Sequence, residues 1–143
     1  MAKQHAAMTG IGWVISVLIG VMLAFSATMK LMNPPEMADQ FVGKFGYSEE
    51  MLVPLAVVEI TCMVIYLIPR TEVLGAILLT GYLGGATATH ARVHDNFVPP
   101  IVAGALVWLA LYLRDPRVRA LVPWRQLPAM VETKPTSPAA KIG

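Results

Sequence analysis

The chain has 143 residues, of which 56% are hydrophobic and only 14% charged, with a formal charge of +2 and a mean hydropathy of +0.61. A soluble domain carries about 45–50% apolar and about 25% charged residues, so the composition describes a small membrane-embedded chain of one domain. The single cysteine, Cys62, excludes an internal disulfide or a dithiol pair. No Gly-rich phosphate loop, zinc-finger spacing, HExxH or basic stripe with aromatics occurs, so no nucleotide, metal or nucleic-acid partner is expected.

After a polar lead with Lys3 and His5, residues 11–29 run without a charge, long enough to cross a hydrocarbon core of about 30 Å. Ala24-Phe25-Ser26 loosely resembles a signal-peptide cleavage site. The apolar run exceeds a signal-peptide core and three further spans follow, so it reads as a retained span. Down it, Gly12, Ser16, Gly20, Ala24 and Thr28 recur every fourth residue. Such a small-residue row reads as a helix-packing seam rather than a ligand groove. Lys30 closes the span. Asn33-Pro34-Pro35-Glu36 then reads as a helix start with Asn as cap. Met37, Phe41, Val42 and Phe45 follow at helical spacing, with Gly46 at the C-cap position. The expected element is a short amphipathic helix lying on the membrane surface or folded over the bundle, as a connector or a lid.

The second span, residues 52–68, is the centre of interest because it carries Glu59 midway. A carboxylate at that depth costs on the order of 2.5–3.5 kcal/mol even on lenient insertion scales. Leu55, Glu59, Cys62, Met63 and Tyr66 share one helix face. Pro69-Arg70-Thr71-Glu72 is a tight turn, and a third span follows over 73–89. Its Gly81, Gly85 and Thr89 form one small row and Thr80, Gly84 and Ala88 another, which predicts close approach from two sides. The polar run His90-Ala91-Arg92-Val93-His94-Asp95-Asn96 ends it. The fourth span, 97–113, opens with Pro99 and Pro100 and carries Trp108 and Tyr112. Arg114, Arg117, Arg119 and Arg125 come next. The membrane domain is placed at 1–125, and a Pro-rich tail, 126–143, is expected to be disordered.

The fold class expected is therefore all-α, an integral-membrane four-helix bundle. Four spans put both termini on one side. That side holds eight Lys and Arg against three on the other, so the positive-inside rule places the termini in the cytoplasm of a multi-pass inner-membrane protein. Trp13, Tyr66, Tyr112 and Trp124 fall near the cytoplasmic interface, as an aromatic belt would. Glu59 lies roughly 12 Å in from the outer end of its helix. Lys30, His90 and Arg92 lie at the outer ends of theirs, so Glu59, Lys30, His90 and Arg92 are the candidate ligand-binding residues of a pocket that opens outward. The competing reading is that Glu59 is interhelical glue, held by Lys30, His90 or Thr87. His90, His94 and Asp95 have metal-ligating side chains, but the chain leaves the helix before His94, and no metal is expected. Glu59→Leu is expected to preserve insertion and raise stability, because it removes an intramembrane charge.

Taken together, Lys30-Leu31, Phe45-Gly46-Tyr47, Glu59, Pro69-Arg70, Leu74-Gly75-Ala76, Gly81-Tyr82-Leu83-Gly84-Gly85-Ala86 and the Ala-His pair at the end of the third span resemble the DoxX-like small membrane proteins. The match covers roughly residues 11–125. The resemblance implies a four-helix membrane bundle. It also implies a link to membrane oxidoreductases, since some relatives are subunits of a thiosulfate:quinone oxidoreductase. Lys30, Glu59 and His90 are the positions that carry over. No haem, flavin or dithiol pattern accompanies them, so the chain is not expected to catalyse on its own, no catalytic residue is assigned, and no cofactor is expected beyond a quinone ligand. Its expected partners are the lipid bilayer, a membrane redox protein and a second copy of itself. Three functions follow: an accessory oxidoreductase subunit, a structural or assembly bundle, or a small-molecule or proton pathway.

Overall fold

The computed structural model describes residues 2–121, with side chains from residue 6 onward, and every regular element among them is helical. The expected tail, 126–143, lies outside the described residues, as do Trp124 and Arg125. The helices are α1 (Ala2–Met32), α2 (Pro35–Ala38), α3 (Leu52–Leu67), α4 (Glu72–Arg92), α5 (Val98–Arg114) and α6 (Pro116–Leu121). Helix α1 begins well before the apolar run, because the polar lead is built of good helix formers such as Ala, Lys, Gln and Met.

Asn33 does not cap the next helix as expected; it closes α1. Its φ is 43° and its N–H donates to the Met29 carbonyl at 3.1 Å. Asn tolerates the left-handed region better than most residues, and Pro34 behind it favours extended backbone at position 33 over a continued helix. Helix α2 starts at Pro35 without a side-chain cap. It widens after one turn into a six-residue π-type turn, Asp39–Lys44. The Phe45 N–H bonds the Gln40 carbonyl at 2.9 Å, and Gly46 turns the chain with φ 72°. The expected amphipathic helix is thus one α-turn and one wide turn, and it buries Phe45 against the bundle.

The four long helices close a ring in which α1 packs on α3 and α5, and α4 packs on the same two. Leu23, Tyr66, Leu79, Leu83, Val107 and Leu111 fill its centre. Gly12 seats α1 on α5, since a Cβ there would lie 2.7 Å from the Ala110 carbonyl oxygen. Ser16 is buried beside it and Gly20 faces Leu67, but Ala24 is only half-buried and Thr28 is exposed. A row spaced every fourth residue drifts about 40° per step around a 3.6-residue helix. The small-residue row therefore leaves the seam after two turns.

Helix α4 departs from expectation in a similar way. Gly75 meets the α3 backbone directly: a Cβ there would sit 2.2 Å from the Tyr66 nitrogen. Gly81, Gly84 and Gly85 have nothing within 4 Å of a built Cβ, so these rows are not close-packed. Tyr66, near the end of α3, does not face outward. It is fully buried, its hydroxyl donating to the Val107 carbonyl at 3.0 Å and lying 3.2 Å from the Ser16 hydroxyl.

The distribution of polarity is inside-out. Phe25, Leu18, Val21, Val57 and Ile77 face outward, while Lys30, Glu59, Glu72, Arg114 and Asp115 are buried. Residues 6–32 and 49–67 form helices long and apolar enough to cross a membrane, and α5 is apolar but shorter.

Candidate functional site

Helical register brings Lys30 inward on the same face of α1 as Ser26 and Leu23, three to four residues per turn. Its Nζ donates to Glu59 Oε2 at 2.8 Å and to the Ser26 hydroxyl at 2.6 Å. The Lys30 and Glu59 side chains are 8% and 2% exposed, so the pair is desolvated. Desolvation costs several kcal/mol per ion, and the attraction offsets it only when geometry is close and further hydrogen bonds complete the shell. Ser26 supplies one such bond, Tyr82 lies against the carboxyl, and the Phe41 ring stands 5.7 Å from the ammonium.

A cavity of about 490 Å³ opens beside this pair. All four long helices wall it, among them Met22, Leu55, Tyr82, Ala86 and Pro100, and its walls are mostly apolar away from the ion pair. The segment after α1 roofs it with Met37, Gln40, Phe41 and Phe45.

The roof is fastened to the end of α4. Lys44 Nζ lies 2.9 Å from Asp95 Oδ2, and His90 Nδ1 lies 3.0 Å from the same oxygen. The Lys44 hydrogen bond, with help from the Asn96 backbone and His90, holds the Asp95 carboxyl down at about 2. Arg92 donates to the Phe45 carbonyl, Tyr47 and Thr89 hydroxyls meet at 2.8 Å, and the Phe45 ring stands edge-on to His90 at 4.8 Å.

Of the four candidate ligand residues, the structure brings Lys30, Glu59 and His90 to one cavity. His90 reaches it while its Nδ1 faces Asp95. Arg92 is not in the lining; it is exposed and fastens the roof. Among the described residues no three metal-ligating side chains converge; His94 sits past the end of α4 with φ 55°.

Sequence reasoning missed several partners. Ser26 was findable, lying four residues before Lys30 on one face. Lys44 was visible only as a charge, and Asp95 only as a charge and a metal-ligating side chain, so their pairing was not seen. At the other end of the bundle, Arg114 Nε faces Glu72 Oε2 at 3.1 Å, and Nη2 donates to the Tyr66 carbonyl at 2.6 Å. The Arg114 guanidinium lies 4.6 Å from the Trp13 ring and 4.4 Å from that of Tyr66. Glu72 had read as a turn residue and Arg114 as a topogenic charge; nothing local in the sequence pairs them.

A chain whose described residues are helical, with apolar outer faces and an ion pair heading an internal cavity, has the character of a membrane protein. It belongs to the DoxX-like family, whose model matches residues 14–113 and so spans all four long helices in whole or part. No curated protein and no solved structure matches the chain.

Proposed function

We propose that the chain is a four-span inner-membrane bundle with both termini cytoplasmic, serving as the ligand-holding accessory subunit of a membrane oxidoreductase. The observation that carries this reading is the Lys30–Glu59 pair at the head of a 490 Å³ cavity. An apolar slot with one polar, proton-exchanging end suits an amphiphile whose head has oxygen acceptors, and a quinone is the redox ligand of that chemistry. Lys30 Nζ would donate to a head-group carbonyl, and Glu59 would exchange the proton that accompanies reduction by the partner enzyme. With one cysteine, the chain brings no dithiol of its own. Outward apolar faces on all four long helices and the excess of Lys and Arg at the terminal side support the topology.

One observation favours an assembly role beside this one. A shallow apolar groove of about 360 Å³ runs between α4 and α5 past Gly84, Gly104 and Trp108, and small residues of this kind favour close approach of a partner helix. A through-pathway has less support. Leu23, Leu79, Leu83 and Val107, all buried and apolar, separate Glu59 from the polar Tyr66–Arg114 end.

The test is a mild-detergent pull-down of tagged wild type beside Glu59→Gln, examined for proteins and for quinone. Recovery of a redox enzyme with both, and of quinone with wild type alone, is the expected result. Recovery of neither from wild type contradicts the accessory-subunit reading.

A further inference from the structure

The seam between α3 and α4 changes character along its length. At the inner end the two helices touch backbone to backbone, where a Cβ on Gly75 would lie 2.2 Å from the Tyr66 nitrogen and 2.3 Å from its Cα. Six and ten residues further along α4, Gly81 and Gly85 have nothing within 4 Å of a built Cβ, yet both line the cavity. Both are exposed, and Leu55 of α3, which also lines the cavity, is half-exposed. The seam is therefore close-packed at one end, while toward the other the cavity wall at Gly81 and Gly85 is open to the outer surface of the bundle. That surface is apolar: Val57 and Val58 on α3 and Ile77 and Leu78 on α4 all face outward.

We infer that the α3–α4 seam is a lateral portal, and that the ligand is a bilayer-borne amphiphile whose single hydrocarbon tail lies in the seam across Gly81 and Gly85 while its head meets Lys30 and Glu59. This rests on the cavity being a ligand site, and adds which side the ligand enters from and which part of it the glycines recognise. A water-borne ligand would need a polar mouth, whereas the roofed outer end is closed by Phe45, which is buried, and by the Lys44–Asp95 and Tyr47–Thr89 contacts. A tail in hydrocarbon needs no such mouth. Glycine at 81 and 85 leaves the space that a side chain would fill, so each contributes to binding by what it lacks. Gly81 and Gly85 are placed where a larger residue costs the fold little, because a Cβ at either meets none of the described residues within 4 Å.

The test uses the full chain in lipid nanodiscs with two probes, decylubiquinone and the same head group without its tail. Thermal unfolding is followed alongside. Gly81→Leu and Gly85→Leu are expected to unfold as wild type does, to weaken decylubiquinone by about tenfold or more, as loss of a few buried methylenes implies, and to leave the tail-less head within about twofold. Glu59→Gln is expected to weaken both probes. If Glu59→Gln weakens both while the glycine variants bind decylubiquinone as wild type does, the cavity stands as a ligand site and the portal is overturned. If wild type takes up neither probe, the ligand reading fails and the portal with it. If a glycine variant unfolds early, a nitroxide on Gly85→Cys decides instead: a portal requires accessibility to dissolved oxygen above that to a water-soluble nickel chelate, and the reverse ratio overturns it.

Discussion

Removing Glu59 alone strands the Lys30 ammonium, which is 7% exposed and among the described residues has only Ser26 as its other hydrogen-bond partner. The expectation from sequence that Glu59→Leu raises stability is therefore reversed, because the carboxylate is matched by a charge 2.8 Å away. Breaking one side of a buried pair costs about 3–5 kcal/mol, whereas replacing both sides with apolar groups is often neutral or stabilising. Glu59→Leu and Lys30→Met should each lower the unfolding temperature in detergent, and the double variant should recover most of the loss. A double variant as unstable as the sum of the singles would show that the two residues do not act as a pair. The sequence displayed the oddity of Glu59 and suggested Lys30 as its partner from helix-end reach. Ser26 was legible as a same-face neighbour four residues before Lys30, but Tyr82 was not, because its place in the shell depends on a rotation between helices that no local pattern records. The burial of Tyr66 was hidden for that reason: its partner hydroxyl on Ser16 and acceptor on Val107 lie on two other helices.

Among the elements, the roof and the α3–α4 hairpin make separate predictions. Asp95 has a carboxyl depressed to about 2 from its ordinary 3.8, chiefly by Lys44. A depressed carboxylate contributes its stabilisation fully above its unfolded value and loses it as pH falls through the folded one. The roof fastening is thus complete above about pH 4 and weakens between about pH 4 and 2. Limited pepsin digestion should cut near Phe41–Phe45 increasingly over that interval, and Asp95→Asn should be cut readily already at pH 4. Equal cutting of wild type and Asp95→Asn at pH 4 would mean that Asp95 does not hold the roof. In the hairpin, Gly75→Ala presses a Cβ onto the Tyr66 backbone and should destabilise by about 1–3 kcal/mol, the usual cost of overpacking. Gly43→Ala, where nothing lies within 4 Å, should stay within about 0.5 kcal/mol of wild type in the same unfolding assay. The length of the apolar runs placed the long helices, apart from the early start of α1. Sequence pattern failed at Asn33 and at the π-type turn, where one residue's backbone conformation, rather than a repeating pattern, decides the path.

For the whole molecule, the outer apolar shell and the buried charges follow from one requirement, that groups facing hydrocarbon be apolar and that ionised groups find partners inside. The topology we propose puts Lys44 on the outer side and Arg70 on the cytoplasmic side. In intact cells, a membrane-impermeant thiol reagent should label Lys44→Cys and spare Arg70→Cys; the opposite pattern would invert the bundle. Composition alone was enough to read a membrane chain. The cavity was not legible in it, because its walls come from all four long helices, and a glycine that packs closely, such as Gly75, looks the same in sequence as glycines that leave room, such as Gly81 and Gly85.

The most direct measurement is organic extraction and mass analysis of protein purified in mild detergent, comparing wild type with the Lys30→Met/Glu59→Leu double variant. If the cavity is a ligand site headed by this pair, wild type carries a tailed amphiphile in near-stoichiometric amount and the folded double variant lacks it. The same content in both, at equal folding, would contradict the site.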